Sequence, residues 1–259
     1  MINILTFKCG DKYDYRSVNM LYRSIELHYD KPFKFYCMTD NADGLDNDII
    51  VLPMQDDFKY DFNSVSMMKK GFAGIPDGEP CVMMDIDIEV VSDPSIVFDY
   101  ELRPQEMGFI HKWWQYPYQK GSFICGMLYR YTSGELDKFY QRFIKNPEHY
   151  THHYTKVNGD EHKLLRPHVH VHGEQDYVLE CAGIYNFHMH LFPSFIAENL
   201  QPELEFNHGT WPMGERLRKY LNYKNMPEQI DQPLIFKHYT GCYVDYVNKR
   251  YPHYEQLFG

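Results

Sequence analysis

No CxxC pair occurs in this sequence; its six cysteines, at positions 9, 37, 81, 125, 181 and 242, are spread singly along 259 residues. That spacing is what a reducing compartment tolerates, not a disulfide framework. No window approaches the roughly 18 to 20 apolar residues of a membrane-spanning helix. The opening MINILTFKCG is too short in its apolar part for a signal peptide and lacks a basic lead. These absences predict a soluble, cytoplasmic protein with no transmembrane segment. Positive charge is also scarce, with 26 Lys and Arg against 36 Asp and Glu and a net charge of −10. No nucleic-acid partner is expected, because such binding needs clustered positive charge to displace phosphate counterions. A phosphorylated ligand stays compatible with the acidic balance if a divalent cation mediates. Repeats, linkers and low-complexity tracts are missing too. The length fits one large α/β domain or one domain with an appended lobe, either with a sizeable core, and a single domain over residues 1–259 is expected.

Aromatic side chains are abundant: 17% of residues, including 23 tyrosines. Tyr and Trp combine an apolar face with a polar edge, which suits flat, hydroxyl-rich ligands, although a tyrosine-rich surface habit would give the same composition. Along the chain, INILTF (2–7), KPFKFYCMTD (31–40) and DIIVLP (48–53) predict strands. RSVNMLYRSIELHY (16–29) predicts a helix, with Val18, Leu21, Tyr22, Ile25 and Tyr29 at helical spacing. A second helix is predicted around FNSVSMMKKGF (62–72), before the strand CVMM. This alternation belongs to a sheet with parallel members. Beyond Pro94, EMGFI and CGMLYR predict strands flanking the aromatic loop HKWWQYPYQKGS (111–122). A helix is predicted over 133–147, with Ser133 as cap and Pro147 as stop. EQDYVLECAGI (174–184) and ERLRKYLNY (215–223) predict further helices.

The segment EPCVMMDIDIEVVSDPSIVF (79–98) poses the chemical question, because an apolar strand runs directly into two carboxylates. Alternation along a strand places Asp85 and Asp87 on one side and Ile86 and Ile88 on the other. In open α/β sheets, ligands bind beyond the carboxyl ends of the strands. Two hard oxygen donors there suit Mn²⁺ or Mg²⁺, which keep positions open for phosphate oxygens. Asp46 and Asp48 have the same spacing but precede their strand, and read as turn residues.

CVMMDIDIEVVSDPSIVF resembles the DxD segment of GT-A fold glycosyltransferases, most closely the retaining galactosyltransferase and glycogenin-like group. The opening strand, turn and helix, SFICGMLYR (122–130), GEQDYVL (173–179) and FKHYTG (236–241) resemble that group's other motifs, in matching order. The resemblance spans about residues 2–245. It implies a GT-A, Rossmann-like domain with a mixed, mainly parallel sheet flanked by helices. Residues 1–100 would form a nucleotide-binding half, and residues 101–259 an acceptor half.

The resemblance further implies a hexosyltransferase that takes a sugar from a nucleotide-sugar donor, with a UDP-sugar favoured, and passes it to a carbohydrate or other hydroxyl acceptor with retention. Asp85, Asp87 and His238 would bind the metal, and Gln175 and Asp176 would face the anomeric carbon. Thr6, Tyr13, Arg16, Lys69, Ile86 and Gly241 are further donor-binding candidates. The group usually carries a lysine six residues after its histidine, where this chain has Val244, and its Asp-Gln-Asp segment begins here with Glu174. An inverting reaction would instead make Asp176 or Glu174 a general base. A binding protein without transferase activity and a metal-dependent nucleotidyltransferase stay open as other readings. His168, His170 and His172 alternate like a zinc-binding strand face but lack accompanying carboxylates or cysteines at catalytic spacing, so a polar strand or loop is expected there and at FHMH (187–190). Trp113 and Trp114 could stack on an acceptor, and 207–220 could close over the donor.

Overall fold

A computed structural model describes residues 1–111, 124–154, 173–192, 196–199 and 234–238. The predicted alternation is present: β1 (Ile2–Lys8), α1 (Tyr15–His28), β2 (Phe33–Thr39), β3 (Ile50–Pro53), β4 (Pro80–Met84), β5 (Ile88–Val90), α2 (Ser95–Phe98), β6 (Glu106–His111) and β7 (Ile124–Thr132). After these come α3 (Asp137–Phe143), α4 (Pro147–Tyr154), α5 (Glu174–Ile184), β8 (His188–Phe192), β9 (Ala197–Asn199) and β10 (Phe236–His238).

Seven strands form one sheet in the order β3-β2-β1-β4-β7-β6-β8, and β5, β10 and β9 form a second. In the large sheet, neighbours pair in parallel except on both sides of β7, which runs against β4 and β6. The fold is thus mixed α/β, mainly parallel and flanked by helices.

Strand alternation sends side chains to two cores. Ile4, Phe35, Cys37, Val82 and Met84 pack with Val18, Leu21 and Ile25 of α1 and with Phe236 of the small sheet. Leu5, Tyr36, Met38, Cys81 and Met83 face the other way, against Phe139, Phe143, Tyr177 and Val178 of α3 and α5. Met127 and Leu128 are adjacent in sequence yet lie in the same core, which regular strand geometry forbids. The cause is an irregularity between β6 and β7. Phe109 pairs with Tyr129 and the next residue, Ile110, with Cys125, so the stretch Gly126–Leu128 bulges out of register.

Three local expectations are corrected. The segment predicted helical over 62–72 is 3₁₀ from Tyr60 to Met68 and again from Phe72 to Gly74. Its short polar side chains turn back on the main chain, as Ser64 Oγ does in donating to the Asp61 carbonyl at 2.7 Å, and this competes with α-helical bonding. Ser133 does not cap α3: its backbone pairs with Gly78 and Glu79 beside β4, and the helix begins only at Asp137, beyond Gly134 in the left-handed region. Pro147 opens α4 instead of ending a helix, since the first helical position needs no amide hydrogen. FHMH lies largely in β8, as a polar strand, with His190 stacked on Tyr100 at 3.9 Å between ring centres. No helix among the described residues is long and apolar enough to cross a membrane. The stretches 112–123, 155–172 and 200–233 lie outside the described residues, with the acceptor loop, the alternating histidines, the late helix and the closing segment predicted there.

Candidate functional site

The two carboxylates follow β4 at its carboxyl end, in a turn and not in a continued strand. β4 stops at Met84; Asp85 holds the sheet with its amide, donating to the Met127 carbonyl at 2.9 Å, and Ile86 and Asp87 turn the chain into β5 of the second sheet. This corrects the strand picture while keeping its sides: Ile86 and Ile88 are buried at 6% and 0% exposure, and the aspartates face away.

The small sheet then supplies the third group. β10 pairs antiparallel with β5, and the register sets His238 opposite Ile88, one residue from Asp87. His238 Nε2 lies 3.3 Å from Asp87 Oδ1 and 3.9 Å from Asp85 Oδ2. One donor atom from each of the three residues falls within 4.8 Å of the others. The Tyr13 hydroxyl donates to Asp87 Oδ2 at 3.0 Å.

Protons and charge are shared unevenly among these groups. Burial would lower the His238 pKa, but the Asp87 charge and hydrogen bond hold it well above the ordinary imidazole value. Burial would raise Asp87, and His238 together with the Tyr13 hydroxyl outweighs that and holds it low. Asp85 is pushed up to about 7 by its surroundings and then by the Asp87 charge. Its side chain is nevertheless 43% exposed, against 10% for Asp87 and 8% for His238. Of the three side chains, Asp85 is the one that solvent reaches most. Two carboxylates and an imidazole so gathered fit a divalent cation that keeps open positions for solvent or phosphate oxygens.

Three consecutive residues of β7 join the parts of the site. Cys125 Sγ lies 3.9 Å from His238 Nδ1, Gly126 donates its amide to Gln175 Oε1 at 3.1 Å, and Met127 accepts the Asp85 amide. The bulge makes this possible by carrying Gly126–Leu128 out of register with β6. A β-carbon at Gly126 would lie 3.2 Å from the Tyr129 hydroxyl and 3.4 Å from Gln175, so the strand is closely packed here against the tyrosine and touches the glutamine.

Gln175 and Asp176, both half-buried, sit in the first turn of α5. Asp61 receives the Glu174 amide at 3.1 Å and so caps this helix from the 3₁₀ segment. Gly173 before it has φ +64°, and a β-carbon there would lie 2.1 Å from Asp61 Oδ2. Glu174 itself is buried at 6% exposure. Its Oε2 accepts from the Tyr129 hydroxyl at 2.9 Å. Burial, then the Asp61 and Asp85 charges, raise its pKa well above the usual carboxyl value.

The other predicted residues are distributed differently. Thr6 is fully buried on β1, and its hydroxyl has no hydrogen-bond partner among the described residues. Arg16, in the first turn of α1, is clasped by Asp14, with Nε 2.8 Å from Oδ2. Lys69 is not brought to the site. It follows the far end of the 3₁₀ segment and places Nζ 5.5 Å above the Tyr140 ring, while neighbouring Lys70 pairs with Asp77 ahead of β4. Gly241 lies outside the described residues. Sequence reasoning did not find the Tyr13–Asp87 hydrogen bond, the Asp61 cap or the Cys125–His238 contact. The small residues of ICGM were the available signal for the last.

A cavity of about 760 Å³ lies at the opposite end of the sheet, lined by Tyr29, Lys31, Asp99, Tyr100 and Arg130 among others. Lys31, Asp99 and Arg130 of this cavity are engaged by protein. Lys31 and the Tyr29 hydroxyl take Asp99, and both terminal nitrogens of Arg130 donate to main-chain carbonyls.

No protein-family model and no curated protein matches the chain. Solved structures do. The chain is similar to the galactosyltransferase LgtC in complex with donor and acceptor sugar analogues, with a TM-score of 0.51 at 14% identity over 92% of this chain and 87% of that one. An active-site Gln-to-Glu mutant of LgtC gives a TM-score of 0.54 at 13% identity, over 98% of this chain and 95% of that one. The glycosyltransferase GlyE of Streptococcus pneumoniae TIGR4 gives 0.55 at 13% identity, with 92% of this chain covering 55% of that one. These neighbours define the class at the level of fold: the chain has the GT-A architecture. Identity this low carries the architecture and leaves the activity to be argued from the site.

Proposed function

We propose that this protein is a metal-dependent glycosyltransferase that moves a sugar from a nucleotide-sugar donor, a UDP-sugar by preference, to a hydroxyl acceptor with retention of configuration. The observation that carries this reading is the convergence of Asp85, Asp87 and His238 beyond the carboxyl end of β4, in a fold shared with a galactosyltransferase whose complex holds donor and acceptor sugar analogues. Asp85, Asp87 and His238 would hold Mn²⁺ or Mg²⁺. The ion would neutralise the donor's diphosphate and act as a Lewis acid toward its departure.

The chain's own residues divide the remaining work. Tyr13 orients Asp87 through its hydroxyl, and His238 is oriented from behind by β7. Gln175 stands beside the bulged strand with its amide oxygen committed to the Gly126 amide. An amide so engaged is a poor nucleophile and a good positioning group, which supports front-face attack by the acceptor over a covalent glycosyl intermediate. Glu174, held toward its neutral form and bonded to Tyr129, is a poor general base. An inverting route, which needs a base for the acceptor hydroxyl, would therefore fall to Asp176.

The test is a thermal-shift series with UDP and UDP-sugars, with and without Mn²⁺, followed by an assay for UDP release with sugar acceptors. A ligand that binds only the folded state at about 100 times its Kd adds about 2.7 kcal/mol. The expected result is a UDP shift that requires Mn²⁺ and disappears in Asp85→Asn and Asp87→Asn. An equal UDP shift in both variants would remove the site from the reading.

A further inference from the structure

We infer that Cys125 is the positioning residue that aims His238 at the cation, an inference that rests on the metal centre proposed above. Its thiol is buried at 3% exposure, and Sγ stands 3.9 Å from Nδ1, while Nε2 on the other edge of the same ring faces Asp85 and Asp87. An imidazole that gives Nε2 to a metal keeps its proton on Nδ1, and in a buried setting that N–H requires an acceptor. A carboxylate is a common partner for this purpose, but here it would add a third negative charge beside Asp85 and Asp87. A sulfur holds the ring without adding charge.

The fold gives Cys125 this position. β10 is three residues long, and its pairing with β5 and β9 sets the His238 backbone, while Asp87 meets the ring at Nε2 and Cys125 meets it at Nδ1. The ring packs toward β7 at the point where the register with β6 breaks. Cys125 is the last residue paired with Ile110 before the bulge, and Gly126, the first residue within it, is the one that holds Gln175. The Cys125–Gly126 dipeptide therefore aligns the metal histidine with one residue and the candidate anomeric-carbon residue with the next.

The test is Mn²⁺ titration of the full chain followed by electron paramagnetic resonance, with the nitrogen modulation of bound Mn²⁺ as a second readout. Wild type is compared with Cys125→Val, Cys125→Ser and Asp87→Asn. Loss of a partner behind a metal-bound histidine typically costs 10- to 100-fold in affinity. Cys125→Val is expected to weaken Mn²⁺ binding about tenfold or more and to reduce the nitrogen modulation. Cys125→Ser, which keeps an acceptor on a shorter arm, should lose about threefold. Metal-free unfolding should rank the two variants oppositely, because valine fills an apolar site and serine buries a hydroxyl.

Crossed rankings support the positioning role. If Mn²⁺ affinity instead follows stability, with valine at least as good as serine, Cys125 acts by packing alone and the inference falls. If Cys125→Val binds like wild type while Asp87→Asn does not, the metal centre stands and the positioning role is overturned. If wild type does not bind Mn²⁺, or Asp87→Asn binds it equally well, the metal centre and the role of Cys125 fall together.

Discussion

The chain contains two Asp-x-Asp pairs of identical spacing, and the structure treats them as opposites. Asp46 and Asp48 precede β3. Asp46 is saturated: Arg23 donates to it from Nε at 2.6 Å and from a terminal nitrogen at 2.8 Å, and Asn19 adds a side-chain amide at 3.1 Å. Asp48 is exposed in the turn. Asp85 and Asp87 follow β4, and the close ionic partner shown for them is a histidine that also belongs to the candidate metal set. Spacing therefore says little about chemistry. A pair answered by arginine and asparagine is a structural anchor, whereas a pair gathered with an imidazole is a candidate for holding a cation.

Substitution at both pairs breaks or sharpens this contrast. The largest difference is expected in sugar transfer: Asp87→Asn should lower the UDP-release rate at least about 100-fold, the scale seen when a preorganised electrostatic contact to a developing charge is removed. Asp46→Asn should leave that rate within about twofold, since Asp46 is held by Arg23 and Asn19 of α1 and is not one of the candidate metal set. Urea unfolding in metal-free buffer should reverse the ranking. Asp46→Asn removes a bidentate partner from a half-buried Arg23 and should cost about 1–2 kcal/mol. Asp85→Asn relieves repulsion with Asp87 and should cost nothing or stabilise.

The pH dependence is a finer test. Asp85 is held above its ordinary range, so its contribution is complete at acid pH and is lost as pH rises toward and through about 7. His238 is held above the ordinary imidazole value, and its contribution is likewise lost as pH rises through that raised value. Asp87, held low, adds stability above the ordinary carboxylate range and loses it only on acidification. The melting temperature of metal-free protein, measured relative to Asp85→Asn, should therefore fall between pH 5 and 8, and the Mn²⁺-induced rise should grow over the same interval. A metal-free difference that stays flat or increases would contradict this assignment of charge. The smallest effect is expected for Tyr13→Phe, which leaves Asp87 its histidine and should weaken Mn²⁺ by about three- to tenfold in the same titration.

Much of the fold was legible in the residues. The apolar runs of β1, β2 and β4 and the helical spacing in α1 are local patterns, and local geometry answers to them. The errors fell where side chains compete with the main chain, as in the serine-rich 3₁₀ segment, or where a proline has two roles, as Pro147 does. The site was legible to the extent that its chemistry is tied to a strand end. Asp85 and Asp87 could be separated from Asp46 and Asp48 by position alone. The Arg23 partner of Asp46, the Tyr13 hydrogen bond to Asp87 and the displacement of Lys69 toward Tyr140 could not be read, because each depends on packing between distant segments.

From composition and order alone follow an acidic α/β chain, a pair of carboxylates at the end of an apolar strand, and a late histidine of suitable chemistry. The tertiary structure decided that this histidine meets that pair. The antiparallel register of β10 on β5 sets His238 beside Asp87, and a bulge in β7 brings a thiol and a glycine amide behind the site. Periodicity governs neighbours within a segment, but pairing register between remote segments is chosen by the whole core at once, since a slip of one residue would turn every side chain to the wrong face.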